Sequence, residues 1–174
     1  MRRVVLVFGL IAGGILSAMM FITMLFKDQI GFDKGLIIGY GTMVLAFLMV
    51  FFGVRSYRDN VNGGVVSFGR AFKVGLLIML IGSVCYVAAW EIIYHTMAPD
   101  YLEKYAAYAT EKARASGATA AQIAEKAQEM ANLREMYRNP VIQVALTLLE
   151  PLPVGVVFTL VSAGILSRKR RGAA

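Results

Sequence analysis

Long hydrophobic runs alternate with polar segments along this chain, and four of the runs approach the thickness of a bilayer. The first two, about residues 4–26 and 35–54, carry no charge. The third, about residues 68–97, has its charged residues near its ends, and the fourth, about residues 140–166, holds a single glutamate. A helix of about 20 apolar residues spans roughly 30 Å of hydrocarbon. The pattern therefore predicts an all-α polytopic membrane protein with four transmembrane helices.

Residues 98–139 interrupt this pattern with a segment rich in Ala, Glu and Lys. Ser116-Gly117 separates two stretches of helical periodicity, and Thr119-x-x-Gln122 is the signature of a capping box that opens the second. We therefore expect an extramembrane, periplasmic helical hairpin between the third and fourth spans. Its apolar stripe either closes on itself or forms an interaction face for a partner; the stripe comprises Leu102, Tyr105, Ile123, Met130 and Tyr137.

The composition agrees with a membrane location. Of the 174 residues, 58% are hydrophobic and 17% charged, whereas a soluble domain is nearer half apolar and a quarter charged. An ordinary soluble enzyme is thereby excluded. The single cysteine also excludes a fold built on disulfides, and one cysteine with one histidine makes a zinc site improbable. We expect no metal and no cofactor.

The net charge of +7 has a simple distribution. Basic residues precede the first span, fill the loop between the second and third, and follow the fourth, so the positive-inside rule places both termini in the cytoplasm. Such residues usually contact anionic headgroups, so we expect membrane lipids as a partner and no nucleic acid. The predicted headgroup contacts are Arg55, Arg58, Arg70, Lys73, Arg168, Lys169, Arg170 and Arg171.

Ionisable residues inside a membrane are costly and therefore functional candidates. Glu91 and His95 are four residues apart near the outer edge of the third span, beside Tyr94. They share one helix face, where they could share a proton, bind a cation or bond each other. The alternative is a polar helix end within an aromatic belt at the headgroup level.

Glu150 is the second candidate, because Pro151 and Pro153 follow it within the fourth span. Proline removes backbone donors and disfavours helix at the preceding residue, so we expect a helix break near mid-depth. Transporters bind ions at such breaks. The alternative is a kinked helix in which a neutral Glu150 bonds Tyr40, Thr42 or another buried polar group.

Small residues indicate where helices pack closely. The first span holds Gly9 and Gly13, the third holds Gly75 and Gly82, and the series Gly31, Gly35 and Gly39 leads into the second. We expect these faces to pack within one bundle. No Walker, GxSxG or HExxH motif is found, so we expect no enzymatic activity.

Several of these segments together resemble one family. The segments are 52–59, 63–64, 67–75, 90–91, 130–140 and 150–155. They are similar to the bacterial membrane family called domain of unknown function 4199, and the similarity covers nearly the whole chain. The resemblance implies a small integral protein of the bacterial inner membrane. The family carries no established activity, so no residue gains a catalytic role from it.

Two functional hypotheses follow. The first is a non-enzymatic interaction protein, an accessory or scaffold subunit within a homo-oligomer or a membrane-protein complex. The second is a proton- or cation-linked transporter or channel that uses Glu150 and Glu91. A third, an intramembrane enzyme acting on lipid, lacks a nucleophile–base pair.

Overall fold

The computed structural model describes residues 1–167, and these form α-helices joined by short connections. The predicted headgroup contacts at 168–171 lie outside the described residues. Four helical stretches are long and apolar enough to cross a membrane, which indicates a multi-pass membrane protein. They are α1 (Arg2–Leu25), α2 (Lys27–Asn60), α3 (Phe68–Thr96) and a fourth made of α6 (Pro140–Leu149) and α7 (Pro151–Leu166).

A pair of shorter helices, α4 (Tyr101–Ala115) and α5 (Ala120–Tyr137), lies between the third and fourth spans, as the sequence pattern predicts. The capping box is present. The Thr119 hydroxyl accepts from the Gln122 amide at 3.3 Å, and the Thr119 amide donates to Gln122 Oε1 at 2.9 Å. A cap of this kind stabilises a helix by about 1 kcal/mol. The start of α5 is therefore fixed by the hydrogen bonds between Thr119 and Gln122.

The second helix is longer than the predicted span of 35–54, because it starts at Lys27 and ends at Asn60. Only Phe26 separates it from α1. Gly31 has φ 69° and ψ 171°, a conformation that residues with a Cβ rarely adopt, and it kinks the helix there. The charged residues between 27 and 34 ended the predicted spans on either side. At a membrane surface these side chains reach water, so the backbone can stay helical there.

The spans form a four-sided bundle in which α1 and α7 each pack against both α2 and α3. Its centre is filled by fully buried apolar side chains, including Phe47, Val50, Ile78 and Met79. Dispersion between closely packed surfaces holds membrane helices together, since lipid offers no hydrophobic drive between them.

The glycine predictions are confirmed for α1 and α3 and wrong for α2. A Cβ on Gly13 would lie 2.5 Å from Cys85 Cβ, and one on Gly9 would lie 2.8 Å from Ile81 Cβ. Gly75 and Gly82 also face neighbouring helices. The outer half of α2 differs, because an added Cβ there meets no close neighbour at Gly31 or Gly39 and only Ile30 Cγ2, at 4.0 Å, at Gly35. Small residues permit close packing, but only the placement of the neighbouring helix produces it.

Candidate functional site

The proline break of the fourth span is a junction between two helices. Glu150 keeps helical angles, φ −64° and ψ −52°, and its amide donates to the Thr147 carbonyl at 3.4 Å. Pro151 and Pro153 lie in the first turn of α7, where missing backbone donors are tolerated. The predicted helix break is therefore present between α6 and α7, but Glu150 itself keeps a helical conformation. The prolines start a new helix without unwinding the one before it.

The carboxylate of Glu150 has a specific partner on another span. The Tyr86 hydroxyl of α3 donates to Glu150 Oε2 at 2.6 Å. Neither of the two partners expected by name makes this bond: Thr42 donates to the Ile38 carbonyl, and Tyr40 is exposed. Glu150 itself is exposed on the surface of this chain. The structure thus places an ionisable group on the side of the bundle, where the Tyr86 hydroxyl is its side-chain hydrogen-bond partner among residues 1–167.

Glu91 and His95 form a separate pair near the C-terminal end of α3. The distance from His95 Nε2 to Glu91 Oε2 is 3.3 Å, and the His95 side chain is 63% exposed. Glu91 Oε1 is buried without a hydrogen-bond partner among residues 1–167. The ring of Tyr94 packs against His95 and against Tyr137 at the end of α5. The pair therefore lies at the junction of α3 and the hairpin.

The two glutamates share no hydrogen-bond partner within the described part of the chain. One bonds Tyr86 and the other His95. Residues 1–167 contain no cluster of three or more His, Cys, Asp or Glu side chains that could hold a metal ion. Each glutamate therefore contacts its own neighbour, and the two do not form one site.

The loop between α2 and α3 is closed by side-chain hydrogen bonds. Arg58 pairs with Asp59 at 2.6 Å, and Arg55 lies 3.6 Å from the same carboxylate. Arg70 donates to Asn62 Oδ1 at 3.1 Å. Lys73 is exposed one turn into α3. Cationic groups remain in excess on this surface, so headgroup contact stays a prediction for all four basic residues.

The hairpin is docked onto the second span through one aromatic residue. The Phe32 ring lies 5.7, 5.5 and 4.9 Å from the rings of Tyr101, Tyr105 and Tyr108 of α4. The Lys112 amino group bonds Asp33 in the same region, and this hydrogen bond raises the pKa of Lys112. Sequence reasoning missed Phe32, because this residue lies outside the predicted span of 35–54.

The predicted interaction face of the hairpin is only partly used within the chain. Leu102 is buried, whereas Tyr105, Ile123, Met130 and Tyr137 are half-buried. α4 and α5 pack against each other, yet no residue of α5 is buried. The contact with α4 covers one side of α5. That a partner protein covers the rest of the apolar stripe stays a prediction.

Comparison with known proteins places the chain among proteins without an assigned role. The family model described as "Protein of unknown function (DUF4199)" matches residues 7–168. No curated protein matches the chain, and no solved structure matches it.

Proposed function

Since the chain belongs to the DUF4199 family, which supplies no activity, we propose from its own geometry that it is a non-enzymatic interaction subunit. It serves as an accessory or scaffold component of an assembly in the bacterial inner membrane. Both termini lie in the cytoplasm and the α4–α5 hairpin lies in the periplasm. The distribution of basic residues supports this orientation, because they gather at the ends of the spans opposite the hairpin.

The residue Glu150, which is exposed on this chain while its carboxyl accepts a hydrogen bond from Tyr86, carries the proposal. It lies between the two helices of the fourth span, and the adjacent residue Leu149 is 58% exposed. A charged residue at the centre of a membrane helix costs roughly 2.5–3.5 kcal/mol on insertion scales. A second protein surface that covers Glu150 and supplies a donor removes much of this cost.

The packing of α6 also indicates a surface of the fourth span that is open to a partner. Its neighbours within the chain are α3, α5 and α7, which leaves its other side open. α5 continues this surface beyond the membrane, with an apolar stripe that is only half-buried. The occupant is either a second copy of this chain or a different membrane protein. Both fit the proposed role, and the mass of the complex distinguishes them.

We expect a photo-reactive amino acid at Val141 or Leu149 to crosslink a neighbouring protein in native membranes. The matched control is Val84 on α3, which is 63% exposed and also apolar but lies outside the proposed face. Native mass spectrometry of mildly solubilised membranes then gives the mass of the assembly. Equal crosslinking from all three positions, or a purely monomeric mass, contradicts the proposal.

A proton- or cation-linked transporter is the second candidate, and the Tyr86–Glu150 hydrogen bond beside a proline break favours it. In that case Glu150→Gln abolishes proton or cation flux into liposomes, because the amide cannot change charge, while folding is retained. Glu91→Gln tests the other intramembrane carboxyl in parallel. Absence of flux in the wild-type protein, or unchanged flux in Glu150→Gln, excludes Glu150 as a transport residue.

A further inference from the structure

A cavity of about 240 Å³ opens in the outer half of the bundle. It lies between α1, the outer half of α2, α3 and the start of α4. It exists because α2 bends at Gly31 and then stands away from its neighbours, so that Gly39 faces open space. The deeper wall is apolar and includes Leu16, Met20 and Gly39. The inner surface of the cavity is thus suited to a hydrocarbon chain.

The mouth of the cavity carries two positive and two negative groups. Lys104 Nζ lies 2.7 Å from Asp100 Oδ2, and this hydrogen bond lowers the pKa of Asp100 and raises that of Lys104. Both groups therefore stay charged around neutral pH. Lys27 is half-buried and Asp28 is exposed, and neither forms an ion pair with a residue that the structure describes. The mouth thus presents Lys27 and Asp28 as a cation and an anion beside the Lys104–Asp100 pair.

The depth of the cavity matches one leaflet. Phe32 lies at its outer part and Thr42 at its inner part, ten residues further along α2. At about 1.5 Å per residue this separation is about 15 Å, which is half of a hydrocarbon core of roughly 30 Å. Pockets for drug-sized ligands have volumes of roughly 300–1,000 Å³, so this smaller cavity suits one unbranched chain better than a whole diacyl lipid.

We propose that the cavity binds one acyl chain of a zwitterionic phospholipid with a primary amine, taken from the outer leaflet. The lipid phosphate pairs with Lys27 and its amine with Asp28. Trp90 lines the cavity, and its buried Nε1–H has no acceptor among residues 1–167. A lipid ester carbonyl supplies such an acceptor. This site is distinct from the face proposed around Glu150 and does not depend on it.

Trp90 is the single tryptophan of the chain, which provides a direct test. Bromine atoms on an acyl chain quench indole fluorescence on contact. Protein stripped of lipid in detergent micelles is titrated with phosphatidylethanolamine brominated on its acyl chains. We expect quenching that saturates at a low lipid fraction. Quenching that rises linearly with the lipid fraction, as chance contact in the micelle produces, overturns the proposal.

Two leucine substitutions on α2 separate the cavity from the helix surface. Gly39→Leu places a side chain into the cavity and should abolish the saturable quenching. Gly41→Leu is the matched control: an added Cβ there also meets no atom within 4 Å, but Gly41 is exposed and does not line the cavity. Identical quenching curves for the two variants contradict the binding of the lipid in this cavity. If Gly39→Leu does not fold, Gly35→Leu replaces it, since its Cβ meets only Ile30 Cγ2 at 4.0 Å.

The headgroup is tested with the same readout. Lys27→Gln should weaken the saturable binding about fivefold, as expected for the loss of one lysine–phosphate attraction at a membrane surface. Brominated phosphatidylglycerol, which lacks the amine, should bind more weakly than the phosphatidylethanolamine. A brominated fatty acid that binds as tightly overturns the assignment to a phospholipid. The mass of the assembly is a separate measurement, so failure here leaves the proposed function standing.

Discussion

Gly13→Leu should lower the free energy of unfolding by about 3 kcal/mol, the upper part of the range for overpacked cores. The new Cβ would lie 2.5 Å from Cys85 Cβ and 2.6 Å from Cys85 Sγ. Cys85 Cβ is bonded directly to the backbone of α3 and cannot rotate away, so α1 and α3 must separate. Reversible unfolding in mixed detergent micelles measures the change.

Gly14→Leu is the control for this prediction. Gly14 is the next residue of the same helix, but it is exposed and an added Cβ meets no atom within 4 Å. We expect a change of less than about 0.5 kcal/mol there, as for most surface substitutions. If the two leucines destabilise the protein equally, the close approach of α1 to α3 at Gly13 is refuted.

Phe32→Ala should weaken the docking of α4 onto α2, while the hairpin keeps its ring contacts with Trp90 and Tyr94 of α3. The ring contacts three tyrosines of α4, and aromatic pairs contribute about 1 kcal/mol each beyond the area they bury, which gives a loss of about 3 kcal/mol. The Lys112–Asp33 ion pair remains but is exposed, and such pairs add little. Hydrogen exchange of the α4 amides should accelerate about 100-fold if α4 is protected by this docking.

Ile37→Ala provides the comparison, since Ile37 lies on the same half of α2 and is 74% exposed. Exchange in α4 should match the wild type in that variant. Unchanged exchange in Phe32→Ala would show that α4 is held by its contact with α5 or with α3 and that Phe32 contributes little. The capping box of α5 is independent of this contact and should persist in both variants.

Tyr86 connects the two regions to which we assign roles. Its ring lines the outer cavity, and its hydroxyl donates to Glu150 on the exposed side of the fourth span. The lipid site and the interaction face are therefore neighbours in the outer half of the bundle. This half also contains the loosely packed part of α2, whereas the inner half is closed by Phe47, Met79 and their neighbours.

The sequence by itself determined the number of spans, the hairpin between the third and fourth, and the start of α5. These features depend on local properties: a run of apolar residues long enough for the bilayer, a Ser-Gly break, and a capping box contained within four residues. Family membership could also be predicted, because short motifs along most of the chain carry it. None of these inferences requires knowing how one helix is rotated against another.

The tertiary structure alone decided which side chains contact each other across different helices. Tyr86 and Glu150 are 64 residues apart, and no spacing rule links them. The same holds for Phe32 and the tyrosines of α4, and for the contrast between Gly13, which packs closely, and Gly39, which faces a cavity. Each depends on the rotation and tilt of whole helices. In a bilayer these are set by packing against neighbouring helices, because every outward-facing apolar residue satisfies the lipid equally well.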